Sequence, residues 1–158
     1  MVDALTRIRS VADYQFGKGT GKQLFPDNVE IQFSKATGRI RYIKLNGERL
    51  ATMRPTDGLL SLSITGAETL AKNDTAQCFV TVRNDVAPFI AKSGDAFAAH
   101  IVKADGEIQT KDEVIVINEN HEVLAVGRAA LSATEMLAFK TGVAIKVRHG
   151  QEKVELST

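Results

Sequence analysis

The densest group of side chains able to do chemistry lies between Arg39 and Arg54: Arg39, Arg41, Lys44, Arg49 and Arg54, opposed only by Glu48. On paired strands such cations can gather on one solvent face and meet phosphates. The same pattern also suits the plain solvated side of a half-buried sheet. A second group closes the chain. Lys146 and Arg148 are two residues apart, so a regular strand turns both to one face, opposite Val143, Ile145 and Val147. Arg128 follows Gly127 at a strand end, and Lys140 falls in a last helical turn, where a cation suits the helix dipole. The third group is Lys92-Ser93-Gly94 with Phe97. A glycine there lets a nucleic-acid backbone approach and an aromatic can stack on a base; a phenylalanine in such a strand otherwise serves the core.

Other chemistries find less support. Gly17-Lys18-Gly19-Thr20-Gly21-Lys22 lacks the spacing of a nucleotide P-loop. It also follows a helix instead of a strand, so it reads as a mobile connector. His100, His121 and His149 show no metal-ligand spacing, and the single cysteine, Cys78, excludes an internal disulfide or a multi-cysteine zinc site. Cys78 reads as core, His121 as exposed in a polar turn, and His100 as a satisfied histidine in an apolar strand. Asp112/Glu113 and Glu119/Glu122 read as solubilising charge on turns. No catalytic residue, metal or cofactor is expected from these arrangements.

The elements that must position the cations follow from periodicity. Asp3 to Phe16 reads as a helix with Asp3 as N-cap. Val29 to Phe33, Arg39 to Leu45, Glu48 to Met53 and Leu60 to Ile64 read as strands, with Asn46-Gly47 as a hairpin turn. Gly66 to Gln77 starts as a short helix, and a domain boundary is placed near Asn73 to Thr75. Beyond it come a strand Cys78 to Val82, a short helix Asp85 to Ala91 and a strand Ala96 to Val102. Strands Val114 to Ile117 and Val123 to Val126 flank Asn118 to His121. Ser132 to Glu135 is a capping box with Leu131 and Met136 as its hydrophobic staple, and Gly142 is the expected C-cap. The last strand is Val143 to Arg148. Many short strands with two short helices suggest a small barrel.

With 158 residues, 44% hydrophobic and 25% charged, one domain or two small ones fit. Net charge is +1, but residues 1–75 hold 11 Lys+Arg against 8 Asp+Glu, and residues 76–158 hold 9 against 11. A neutral total can still hide a basic face. The N-terminal stretch lacks the pattern of a signal peptide, and no run of about 18 apolar residues exists, so no membrane association is expected. One cysteine fits a reducing, cytoplasmic setting.

Longer motifs carry a family resemblance. DEVIVINENHEVLAVGRAALSATEMLAFKTGVAIKVRH (Asp112 to His149) resembles the PUA domain, a small β-barrel that binds structured RNA, in the version found in archaeal tRNA-modifying enzymes. VADYQFGKGTGKQLFP (Val11 to Pro26) and RIRYIKLNGERLATMRPTDGLLSLSITGA (Arg39 to Ala67) resemble the segment before PUA in archaeal tRNA-guanine transglycosylase and archaeosine synthase. The resemblance implies an α+β pre-PUA domain over residues 1–74, a helix plus antiparallel sheet. A PUA-like small mixed β-barrel with two short helices would then occupy residues 75–158. It implies RNA as partner, tRNA foremost, gripped at the acceptor stem and CCA end through Lys92, Ser93, Gly94, Phe97, Arg128, Lys146 and Arg148. Arg39 and Arg41 of the first domain would extend the contact, and the acidic Asp105 to Glu122 section would face away.

The family's catalytic barrel, with its acidic nucleophile and zinc site, has no counterpart in these residues. The expectation is therefore a non-catalytic RNA-binding protein, an accessory or subunit beside a catalytic transglycosylase or archaeosine synthase. The alternative is a protein-interaction subunit of a tRNA- or rRNA-modifying complex with little RNA affinity of its own, which the acidic second half favours. Exposed strand edges leave the oligomeric state open between monomer and dimer.

Overall fold

The structure, a computed structural model, describes residues 2–73 and 75–152. The chain divides into two compact units, the first ending at Ala76 and the second beginning at Gln77.

The first unit opens with α1 (Ala4–Phe16). Asp3 caps it by accepting from the Thr6 N–H at 2.7 Å. That bond holds the Asp3 carboxyl below its ordinary pKa. Ile8, Ala12 and Phe16, four apart, are fully buried, the stripe that helical spacing predicts. Gly17, at φ 121°, ends the helix. The glycine-rich segment that follows is not the connector expected from its composition. It forms α2 (Thr20–Leu24), and its small residues serve contact: a Cβ on Gly21 would overlap the Arg9 carbonyl oxygen of α1. The fully buried Thr20 hydroxyl points at the Ala12 and Gly17 carbonyls, at 2.9 and 2.6 Å, and the Asp13 carboxylate accepts from the Gly21 N–H at 2.7 Å.

Four antiparallel strands follow in sequence order across one sheet: β1 (Glu30–Phe33), β2 (Ile40–Leu45), β3 (Glu48–Met53) and β4 (Leu60–Leu62). Asn46 and Gly47, both at positive φ, make the β2–β3 turn. Ile31, Ile43, Ala51 and Leu62 form one cross-strand row. α3 (Ile64–Ala71) then packs on β3, so close that a Cβ on Gly66 would overlap the Leu50 carbonyl. Ile64, expected in the fourth strand, belongs to this helix because Ser63 caps it, accepting from the Gly66 N–H at 3.0 Å. Gln15 ties α1 to the sheet through both amide groups: it donates to the Leu60 carbonyl at 3.0 Å and accepts from the Leu60 N–H at 2.6 Å.

The second unit holds β5 (Phe79–Val82), a 3-10 turn, α4 (Ala87–Ala91), β6 (Ala96–Phe97), a second 3-10 turn (Ala98–His100) and β7 (Ile101–Ala104). β8 (Glu113–Ile117), β9 (Val123–Ala129), α5 (Ala133–Ala138) and β10 (Val143–Gly150) complete it. The strand order is β6-β10-β9-β8-β5-β7, antiparallel except for the β5–β8 pair. β6 and β7 lie at opposite ends of this sheet yet are joined by three residues, so the sheet curls into a nearly closed mixed barrel. The single strand expected over Ala96 to Val102 is broken at Ala98–His100 for this reason: one stretch must leave the β10 edge and rejoin at β5. Val80, Ile90, Val114, Val116, Met136 and Ile145 centre the core. At ~1.5–3 kcal/mol for each large apolar side chain buried, such a core supports a unit of this size.

Two further expectations are corrected. α5 stops at Ala138 with Phe139 as C-cap. Gly142, at φ 95°, is instead the turn into β10, and its carbonyl accepts from the Ala98 N–H at 2.9 Å. Glu113 is no turn residue: it lies in β8 and its side chain has no exposed surface. The Ser132–Glu135 capping box forms as read, with both reciprocal bonds. Cys78 is buried, and burial pushes its thiol pKa up, out of the range of a nucleophile. Among the described residues no helix is long and apolar enough to cross a membrane.

Replacing Gly21 by Ala forces α2 off α1 and is expected to cost ~1–3 kcal/mol in urea unfolding. The exposed Lys18→Ala change should stay within ~0.5 kcal/mol.

Candidate nucleic-acid interface

The second unit brings the expected cations and the 92–95 loop to one strand, β10. Lys92 is exposed as the C-cap of α4, and Ser93 follows at φ 77°. The Ser93 hydroxyl accepts from the Gly150 N–H at 2.9 Å, and the Asp95 carboxylate accepts from the Val147 N–H at 2.9 Å. A Cβ on Gly150 would overlap the Ala91 carbonyl oxygen, so the strand end presses on the loop's base. Gly94 is small for an internal reason: the Phe89 ring fills the space its side chain would take.

Phe97 pairs with Val143 of β10 and is 39% exposed. His100 holds it. The Phe97 N–H donates to His100 Nδ1 at 3.3 Å, and the two rings meet edge to face at 5.4 Å. Burial, with the Arg83 charge nearby, pushes the His100 pKa below its ordinary 6.5. The neutral imidazole that this favours is the form able to accept at Nδ1.

Arg128 and Lys146 are direct cross-strand partners on β9 and β10, and both are exposed. Like charges placed opposite each other destabilise a sheet, and on its other side Arg128 pairs with Glu113 of β8 in the same row. Arg148 behaves differently. Val147 pairs with Gly127 and His149 with Val126, which leaves Arg148 as an extra, bulged residue. From this position its guanidinium meets Glu113: Nη1 donates at 2.9 Å to one carboxylate oxygen and Nη2 to the other. Gly127 permits the close approach, since a Cβ there would overlap the Lys146 carbonyl. Lys146 and Arg148 thus share the face of Arg128 and Glu113 but differ in use, with Lys146 exposed and Arg148 committed to a buried acid.

Carboxylates of the acidic stretch also have local tasks. Asp105 accepts from the Phe79 N–H and Asp112 from the Gln109 N–H. Glu119 and Asn84 exchange side chain-to-backbone bonds at 3.1 and 2.9 Å.

In the first unit Arg39 is exposed in the turn before β2, and Arg41 is exposed on β2. Arg54 leaves the basic group: its side chain is 12% exposed and pairs with Asp57. Sequence reasoning missed two residues. Glu113 could have been suspected from its place at the head of the aliphatic run EVIVI. His100 as the holder of Phe97 had no signal, because a three-residue turn creates the contact. Among the described residues no cluster of His, Cys, Asp or Glu could hold a metal ion.

Known proteins share this arrangement. A family model described as the patch-forming domain C2 of tRNA-guanine transglycosylase matches residues 6–77, and one for the PUA domain matches residues 79–150. The tRNA-guanine(15) transglycosylase of Methanothermobacter thermautotrophicus is 45% identical over 150 residues, 94% of this chain and 23% of that protein. The Pyrococcus furiosus enzyme of the same name is 43% identical over 152 residues, 96% of this chain and 26% of that one. The chain therefore spans about a quarter of the length of these curated relatives. A hypothetical protein from Pyrococcus horikoshii superposes with a TM-score of 0.75 at 24% identity, over 95% of this chain and 91% of that one, a likeness of fold.

Arg148→Ala strips a buried carboxylate of its bidentate partner and should destabilise the protein by ~3–5 kcal/mol in urea unfolding. Arg148→Lys should recover only part of this, because an ammonium lacks the planar fork. His100 makes a pH-dependent contribution. A histidine whose folded pKa is lowered favours folding above its unfolded value near 6.5, and the contribution fades as pH falls toward the folded value. The Phe97 amide resonance should shift over that acidic window, and His100→Ala should abolish the titration.

Proposed function

Because the chain joins a patch-forming C2 domain to a PUA domain and is homologous to the C-terminal region of archaeal tRNA-guanine(15) transglycosylase, we propose that it grips RNA. The RNA is tRNA, held at its acceptor stem and CCA end, and the base exchange is left to a catalytic transglycosylase or archaeosine synthase. The observation that carries this reading is the exposed Arg128–Lys146 pair on β9 and β10, close to the 92–95 loop that β10 holds. Two outward cations on adjacent strands suit phosphates, which supply most of the affinity for RNA. Lys92 extends the cationic line, and Ser93 and Gly94 shape the loop. Phe97, held edge-on by His100 and exposed, suits stacking on an unpaired base. Arg148 supports the surface through Glu113, while Arg39 and Arg41 offer contacts on the first unit. The reading places the protein in the cytoplasm as a non-catalytic accessory or subunit in archaeosine tRNA modification.

The test is titration of the purified protein with unmodified tRNA at several salt concentrations, beside tRNA lacking its CCA end. Binding should weaken steeply with salt and weaken further without CCA. Arg128→Ala/Lys146→Ala should lower affinity about tenfold or more and reduce the salt slope by ~1–2. A salt slope near zero for the unaltered protein would sink the reading.

A further inference from the structure

The outer face of the first unit's sheet carries a feature that neither relative charge nor the hairpin pattern reveals. Tyr42 sits on the central strand β2, between Gln32 on β1 and Thr52 on β3. Its neighbour Ile43 is fully buried on the face that the helices cover, so Tyr42 points to the other side. Regular alternation would send Arg41 to the Ile43 side. It does not, because Tyr42 pairs with Gln32 while Ile40 pairs with Phe33, leaving Arg41 as an extra residue in β2. A second irregularity follows on the next strand. Ile43 pairs with Ala51 and Lys44 with Arg49, which makes Leu50 the extra residue in β3. Leu50 goes inward, 2% exposed, and Arg49 stays outside. Bulges re-aim side chains, and here they bring two arginines to one ring. The guanidinium carbon of Arg41 lies 5.3 Å from the Tyr42 ring centroid and that of Arg49 lies 5.9 Å away.

The way these cations are held matters more than their number. Arg9, Arg54, Arg83 and Arg148 are each answered by a carboxylate. Among the described residues Arg41 and Arg49 make no ion pair. An aromatic ring fixes a guanidinium by cation–π attraction without neutralising it, and the hydrogen bond between Arg41 and the Tyr42 hydroxyl uses one of five N–H donors and leaves the others. That hydrogen bond, together with the Arg41 charge, holds the Tyr42 hydroxyl below its ordinary pKa. Along the row beside them, Gln32, Thr52 and Ser61 are uncharged hydrogen-bonding side chains, and Lys44 lies two residues along the same strand. Two un-neutralised forks within 6 Å of one ring match closely spaced anions on one chain, and planar forks suit phosphate oxygens two at a time.

We propose that Tyr42 is a positioning residue that holds Arg41 and Arg49 as a clamp for neighbouring phosphodiesters of one RNA strand, a contact on the C2 unit separate from the β10 surface. The proposal rests on the RNA-binding reading above and adds a second place where the strand is held.

The experiment is salt-dependent titration with unmodified tRNA for the full chain, Arg41→Ala/Arg49→Ala, Tyr42→Leu and Tyr42→Phe, with thermal melts of each. Both arginines are exposed, so the double variant should melt with the unaltered protein. Its affinity should fall about tenfold or more, and its salt slope by ~1–2, at roughly 0.7–0.9 per phosphate released. Tyr42→Leu keeps every charge but loses the ring, so affinity should fall several-fold, and Tyr42→Phe, which keeps the ring face and loses only the hydroxyl's bond with Arg41, should recover most of it. If the unaltered protein binds tRNA with a clear salt slope and Arg41→Ala/Arg49→Ala matches it in affinity and slope, the clamp is overturned and the RNA reading stands. If the unaltered protein shows no salt-dependent binding, the RNA reading falls and the clamp with it.

Discussion

A carboxylate without exposed surface must have its charge answered, and much of the second unit follows from how Glu113 meets that requirement. Removing such a group from water costs several kcal/mol, and only well-placed donors offset it. Glu113 lies on β8 and Arg148 on β10, with β9 between them. The bidentate bond therefore spans the middle strand and holds β10 in the one register where a bulge falls at Arg148. That register decides which β10 residues face outward. It leaves Lys146 beside Arg128, and it sets the Val147 and Gly150 amides against Asp95 and Ser93.

The candidate surface is thus a consequence of packing, not an addition to it. Barrel closure through Ala98–His100 turns His100 toward Phe97 and leaves that ring exposed. The 92–95 loop is held by side chain-to-backbone bonds to β10, so its cation and its positive-φ serine are placed by the strand. A surface held in this way has little ordering left to do, which favours binding wherever conformational freedom must be lost.

In both units an arginine sits at a strand irregularity, to opposite ends. At Arg148 the guanidinium meets a buried acid and its charge is consumed in holding the barrel. At Arg41 the guanidinium meets an aromatic ring, where position is fixed while the charge remains available. The partner, not the residue type, decides whether an arginine is structural or free to meet an anion.

Much of this was legible in the residues themselves. The α1 stripe, the Asn46-Gly47 hairpin, the β3 limits and the Ser132 capping box depend on local periodicity and local hydrogen bonds, which neighbours along the chain determine. The likeness to the transglycosylase tail rested on contiguous motifs and held. What period alone misplaced were residues whose role is set by a distant partner. Gly19 to Lys22 looked like a connector because the helix it packs on, through Gly21 and Arg9, is not visible in composition. Glu113 looked like surface charge because its partner lies 35 residues away. Arg41 followed no alternation because a bulge reset the period of two, and Phe97 found its partner His100 only through barrel closure. The sequence by itself determined most of the elements, their order and the family; tertiary structure decided which cations stay exposed, since a distant carboxylate can consume a charge and one extra residue in a strand can turn a side chain to the opposite face.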